Sequence, residues 1–275
     1  MEISTKKSRK KYIISFLILL ILIGVTFYIL FKEYSIKDVK NAFSLINPNY
    51  IYYSIMMLLV YLFFEALSMK ALLNKLGHKT SILSNIKYAS VDVYFSAITP
   101  SALGGQPMVA YYMEKDKIPV SESSVVLLLN SIIFRIVLMV YGFIAIIISG
   151  FYLDTPVKII LFTIGLSLNV VFISIFLMAL ISRKLLLKIG KSIIRFLHKI
   201  KILKKDISIY NDKLESSIVK YKEAFLYLQK DIFLLIRIFT YNFIQRGAMF
   251  LIPYLVYLSF GFTTESFITL MTIKY

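Results

Sequence analysis

The sequence contains no cysteine, which excludes a disulfide framework, a thiolate zinc site, an iron–sulfur cluster and a cysteine nucleophile. Its two histidines, His78 and His198, lie far apart, so a histidine metal site is not expected either. The Gly-x-Ser-x-Gly, phosphate-loop and zinc-protease patterns are also missing, which removes familiar seats of nucleophile and nucleotide chemistry. Glu114 and Asp116 sit among lysines and read as a solvated loop, so no catalytic residue, metal or cofactor is assigned. Acidic residues are scarce as well, 15 against 32 Lys and Arg, for a formal net charge of +17. In a soluble chain that balance would point to nucleic acid. Here 59% of residues are hydrophobic and the mean hydropathy is +0.77, so the chain reads as a polytopic membrane protein. The basic excess then marks cytoplasmic loops and contact with anionic lipid, and nucleic acid is not an expected partner.

Long apolar runs set the expected architecture. The run Tyr12 to Phe31 follows Lys6, Lys7, Arg9, Lys10 and Lys11, is about as long as the hydrocarbon core is thick, and reads as a signal anchor. Further spans are expected at 50–69, 123–149, 157–181 and 232–260. Lys70, Lys75 and Lys79 place the end of the second span, and with it the N-terminus, in the cytoplasm of a multi-pass cell-membrane protein. Between Ser182 and Asp231 there are 13 Lys or Arg, so this segment is expected inside too. Counting back from it puts Lys79 and Glu122 on the same side. The stretch between them, 81–113, must then dip in and return. The expected fold is all-α: a polytopic helix bundle with a re-entrant hairpin broken by Gly and Pro, and a cytoplasmic basic helical segment over 182–231.

That basic segment has its own periodicity. Lys184, Lys188, Lys191, Arg195 and Lys199 recur every three or four residues, and Leu186, Ile189, Ile193, Leu197 and Ile200 occupy another face. Such a helix lies on an anionic membrane surface. From Ile207 through Leu214, Ile218, Tyr221, Phe225 and Leu228 a near-heptad spacing asks for a helical partner. The two helices can pack on each other beneath the bundle, or the 207–228 seam can take a second copy of the chain or another membrane protein.

The break in the hairpin, Thr99 to Pro107, reads TPSALGGQP. Pro100 and Pro107 with Gly104 and Gly105 between them cannot continue a helix or a strand. Irregular backbone at membrane depth survives only when buried in protein or lining a wet cavity, which makes this the candidate working site. Successive glycine amides can form an anion-binding concavity; the alternative is a tight turn. Ionisable residues inside spans are candidates by default. Arg135 and Arg246 fall near mid-membrane and need an anion, which is either Glu65, giving a structural pair, or a lipid phosphate. In the second case both arginines line a headgroup pathway, with Gln245 and Asn130 as neutral donors.

Several of these residues carry a family resemblance. Leu72-Leu73-Asn74-Lys75-Leu76-Gly77, Thr99-Pro100-Ser101, Gly104-Gly105-Gln106-Pro107, Ala110-Tyr111 and Ile118-Pro119 resemble the membrane domain of the lysylphosphatidylglycerol synthase/flippase proteins, in its stand-alone form without the soluble synthase domain. The likeness covers most of the chain. It implies a domain that moves or accommodates a charged phospholipid between leaflets, with Thr99, Pro100, Ser101, Gly104, Gly105, Gln106 and Pro107 at the headgroup. Three positions depart from the pattern. Asn130-Ser131 stands where many relatives have an acidic residue followed by Arg, and Val109 stands where an Arg is common. The chain also stops at Tyr275, just inside the apolar run Phe267 to Ile273, as in a fragment or a shortened member.

The function expected is therefore binding and translocation of an anionic phospholipid of the phosphatidylglycerol or lysylphosphatidylglycerol type. One alternative is a phosphatidylglycerol lysyltransferase, for which the chain lacks a soluble domain to house the transfer. The other is a non-catalytic membrane scaffold working through the 207–228 seam.

Overall fold

The structure, a computed structural model, describes residues 24, 25, 28, 32, 36–148, 156–199, 206–264 and 267. The expected first span, 12–31, lies outside the described residues apart from Gly24, Val25 and Tyr28, and so does the run after Phe267. Among the described residues all regular structure is helical. A short helix α1 (Ile36–Ser44) precedes α2 (Pro48–Lys75), α3 (Ile82–Ile98), a one-turn 3-10 helix (Pro100–Ala102), α4 (Gly105–Lys115), α5 (Val120–Ile148), α6 (Pro156–Ile181), α7 (Arg183–Lys199), α8 (Ile207–Gln229) and α9 (Ile232–Ser259).

Local chemistry explains the boundaries. Asn47 caps α2 by accepting from the Asn49 amide at 3.0 Å, with Pro48 at the first helical position, where its missing N–H is not needed. Ser81 and Asp231 cap α3 and α9 in the same way, accepting from Ser84 and Leu234 at 3.0 Å each. Two helices stop alike. After α2, Gly77 takes φ +93°, the Gly77 amide donates to Asn74 O and the His78 amide to Leu73 O, both at 3.0 Å. After α4, Lys117 takes φ +65°, donating to Glu114 O while Ile118 donates to Met113 O, both at 2.9 Å. Each is a left-handed stop that satisfies the last carbonyls, and buried Ile118 packs beneath the second.

Three helices among the described residues are long and apolar enough to cross a membrane: α2, α5 and α6, at 28, 29 and 26 residues. The α9 helix is 28 residues long but carries Arg237, Asn242, Gln245 and Arg246. Its Asn242 and Gln245 are turned inward, each 1% exposed, so its outer surface is more apolar than its composition.

The ends of the helices are tied in register. Lys75 pairs with Asp231 at 2.6 Å, His78 with Glu122 at 2.5 Å, and Lys87 with Asp116 at 2.6 Å. These pairs bring the end of α2, the start of α9, the start of α5 and the open end of the α3–α4 hairpin to one side of the molecule. At the far side the Asn47 amide donates to Ser259 O at 2.7 Å, so α2 and α9 run antiparallel along their whole lengths. The core joins Met69, Leu72, Leu73, Tyr88, Val109, Met113 and Val125 to Phe225, Leu228 and Ile238. Ile218, Tyr221, Phe225 and Leu228 of α8 are buried, and a Cβ on Gly190 of α7 would come within 2.6 Å of Leu214. The near-heptad face of α8 is thus covered from within the chain.

Candidate functional site

Three helices that should face one another with hydrocarbon instead meet through polar side chains. On α2, Glu65 and Ser68 are three residues apart and share a face; on α9, Asn242 and Gln245 do the same; α5 contributes Asn130. Ser68 donates to Asn130 Oδ1 at 2.5 Å. Asn130 Nδ2 donates to Glu65 Oε1 at 3.0 Å. Asn242 Nδ2 reaches Asn130 Oδ1 at 3.0 Å, Ser68 Oγ at 3.2 Å and Ile238 O at 3.0 Å. Gln245 Nε2 donates to the second Glu65 oxygen. All five residues are at most 7% exposed. Both carboxylate oxygens of Glu65 are therefore held by amide donors, a charge-assisted arrangement that compensates much of the penalty of an acid at this depth.

Charged groups gather at the edge of this seam. Arg246, one turn of α9 beyond Asn242, stacks over Phe134 at 3.9 Å and lies 6.0 Å from Phe250. It lies within electrostatic reach of Glu65 and Tyr61. Asp92 of α3 acts on Glu65 and Tyr61 from the hairpin side. Arg135 goes elsewhere. Its guanidinium covers Phe172 at 4.1 Å and donates to Asn169 Oδ1 at 3.3 Å, both on α6. Glu65 takes its hydrogen bonds from Asn130 and Gln245, whereas Arg135 donates to the Asn169 amide oxygen and lies against an aromatic face.

The Thr99–Pro107 break closes the α3–α4 hairpin. Thr99 Oγ1 donates to Phe95 O at 2.6 Å and accepts from the Gly104 amide at 2.9 Å. The amides of Ala102 and Leu103 donate to Thr99 O and Pro100 O at 3.2 and 3.4 Å. Ala102 takes φ +54°, a left-handed conformation uncommon outside glycine. Pro100 starts the 3-10 turn, Ser101 contributes its backbone to it, and Pro107 sits in the first turn of α4. The amides of residues 102–104 are directed into the turn itself, the tight-turn geometry.

The glycines serve close approach. A Cβ on Gly105 would fall 2.1 Å from Asp92 Oδ1, 2.2 Å from Ser96 Oγ and 2.8 Å from Asp92 O. One on Gly104 would fall 2.5 Å from Thr99 Cγ2. Beyond the turn, Gln106 Nε2 donates to Ser131 Oγ at 2.5 Å, so one of the two positions where Asn130-Ser131 departs from the family pattern is where α5 receives the break.

On the tied side, Asp116 accepts from both Lys87 and Tyr88 at 2.6 Å, and these bonds, Lys87 first, hold its carboxyl below the usual aspartate range. Asp231 is lowered likewise, chiefly by Lys75.

The structure brings Glu65, Gln245, Asn130 and Arg246 together and joins Gln106 to Ser131; it sets Arg135 of α5 apart, against α6. Ser68, Asn242, Tyr61 and Asp92 are members that sequence reasoning left unassigned. The available signal was spacing: Tyr61, Glu65 and Ser68 fall at i, i+4 and i+7 on one face of α2.

The family model described as the lysylphosphatidylglycerol synthase TM region matches residues 12–273. No curated protein and no solved structure matches the chain.

Proposed function

Because this chain belongs to the lysylphosphatidylglycerol synthase transmembrane-region family, we propose that it binds an anionic phospholipid and carries its headgroup between leaflets along the Glu65–Asn130–Gln245 seam. The observation that carries this reading is the seam itself. Polar groups at the middle of apolar helices are costly unless they serve a path or pair with one another, and here a paired set lies beside a Gly/Pro-broken hairpin. In this reading Arg246 attracts the phosphate and the hairpin turn floors the headgroup site. Leu103, 74% exposed at the turn, faces lipid. Arg135 stays outside this path, against Phe172 and Asn169 of α6. The basic side that holds Lys75, Lys87, α7 and α8 is cytoplasmic in this reading, as the positive-inside rule requires, and the N-terminus is assigned there too.

The test is leaflet exposure of fluorescent phosphatidylglycerol and its lysyl derivative in proteoliposomes. Wild type is expected to move at least one of them faster than empty vesicles do. Gly105→Val drives a side chain into Asp92 and Ser96 and should abolish movement. Since that variant can also unfold, Glu65→Gln, which keeps the shape, provides the second arm. Wild-type rates no faster than empty vesicles, or wild-type rates in a folded Glu65→Gln protein, would overturn the reading. Incorporation of radioactive lysine into lipid would instead favour the synthase alternative.

A further inference from the structure

The sequence pattern gives α7 one apolar face; the structure divides that face in two. Leu186, Gly190, Ile194 and Leu197 are partly buried, and Gly190 lets α7 approach Leu214 of α8. Lys191 fixes the pair through Glu215 at 2.8 Å. Ile189, Ile193 and Phe196 are left on a separate stripe, 49%, 52% and 62% exposed. At 100° per residue this stripe lies across Ser192 from Lys184, Lys188, Arg195 and Lys199, all exposed. No acidic residue occurs anywhere in α7.

We propose that this stripe and its basic edge form a docking surface for an anionic phospholipid leaflet. Two features select that occupant. The first is charge: whatever covers the stripe must tolerate four cations along its border, and an anionic headgroup layer over acyl chains supplies both halves of the match. The second is continuity. Only Ser182 separates α6 from α7, and its hydroxyl accepts from the Leu185 amide at 3.2 Å. The end of α6 is apolar and exposed, Met178 at 53% and Ile181 at 57%, so α7 begins at the level where a lipid-facing helix leaves the hydrocarbon. Meanwhile α8 holds the end of α6 in place: Tyr221 Oη donates to Ala179 O at 3.1 Å, and Lys222 Nζ donates to Ile181 O. The surface follows from membrane residence and does not depend on translocation, so a failed leaflet-exposure assay leaves it standing.

The absence of native cysteine makes the test direct. Ile193→Cys and His198→Cys variants of the full chain, labelled with an environment-sensitive fluorophore, are reconstituted in nanodiscs of phosphatidylcholine alone or with about one-third phosphatidylglycerol. Reduction of the label by an aqueous reagent is then timed. At position 193 it should slow by about tenfold or more in the anionic discs relative to the neutral ones, with quenching by acyl-chain spin labels. At position 198, on the other side of the helix, it should stay fast in both. Replacing Lys184, Lys188, Arg195 and Lys199 together by Gln should erase the difference between lipids while the helical circular dichroism is retained. Fast reduction at 193 in anionic discs would overturn the proposal. So would equal protection in both lipids, or protection persisting in detergent, since protein would then be covering the stripe.

Discussion

Two arginines sit deep in apolar helices of this protein, and the protein houses them differently. Arg135 of α5 leans on Phe172 and Asn169 of α6, a helix on which Leu180 alone is buried among the described residues. Arg246 of α9 stands at the edge of a seam whose members are nearly inaccessible. The first contact joins a lipid-facing helix to the bundle with one amide and the rings of Phe172 and Phe176. The second joins three helices through a connected set of donors and acceptors. A charge within a span therefore says little by itself, and what distinguishes the two is whether the neighbouring helices also turn polar groups toward it.

The strongest way to break this contrast is Asn130→Leu. Asn130 bonds Glu65, Ser68 and Asn242 at once, and its loss takes one hydrogen bond from each of three buried partners, which should cost about 3 kcal/mol. The corresponding change on the other contact, Asn169→Leu, should cost less than about 1 kcal/mol. Thermal midpoints in detergent compare the two directly, and equal losses would mean the seam is no more cooperative than the α5–α6 contact.

Next comes function. In the leaflet-exposure assay, Arg246→Gln should slow lipid movement by about tenfold or more, the equivalent of some 1.4 kcal/mol, while Arg135→Gln should change it by less than about twofold. Parallel losses would assign both arginines to one pathway. The smallest effect concerns pH. Asp116 and Asp231 are held below the ordinary aspartate range by Lys87 and Lys75. Their ties are thus fully present above that range and are lost as pH falls through the lowered values. Asp116→Asn combined with Asp231→Asn should lower midpoints slightly near neutrality and flatten the fall below about pH 4, so that mutant and wild type converge in acid. An undiminished acid transition would place it elsewhere.

The apolar helices were legible because runs of Leu, Ile, Val and Phe leave few other structures at this length, and α2, α5 and α6 are long and apolar enough to cross a membrane. The break was legible from Pro100 and Pro107. Its purpose was not: sequence presents Gly105 as conformational freedom, whereas the structure uses it as space beside Asp92. The seam was half legible. Glu65, Gln245 and Asn130 stand out as polar residues in apolar spans, but Ser68 and Asn242 are separated by 174 residues and pass for ordinary helix polarity until α2 and α9 are laid together. The twofold division of the α7 apolar face was hidden for the same reason, since a helical wheel shows hydrophobic stripes and not which of them a neighbour takes.

Thr99 has one hydroxyl and uses it twice, donating to the last turn of α3 and accepting from the residue that opens α4. A break of this composition suggests a loose joint. A single oxygen bonded to both sides makes it a bracket instead, in which neither arm can swing without releasing the other. Displacement of the hairpin is then a tilt of α3 and α4 as one body, with the Gln106–Ser131 bond to α5 the contact at the turn that must part for it to happen.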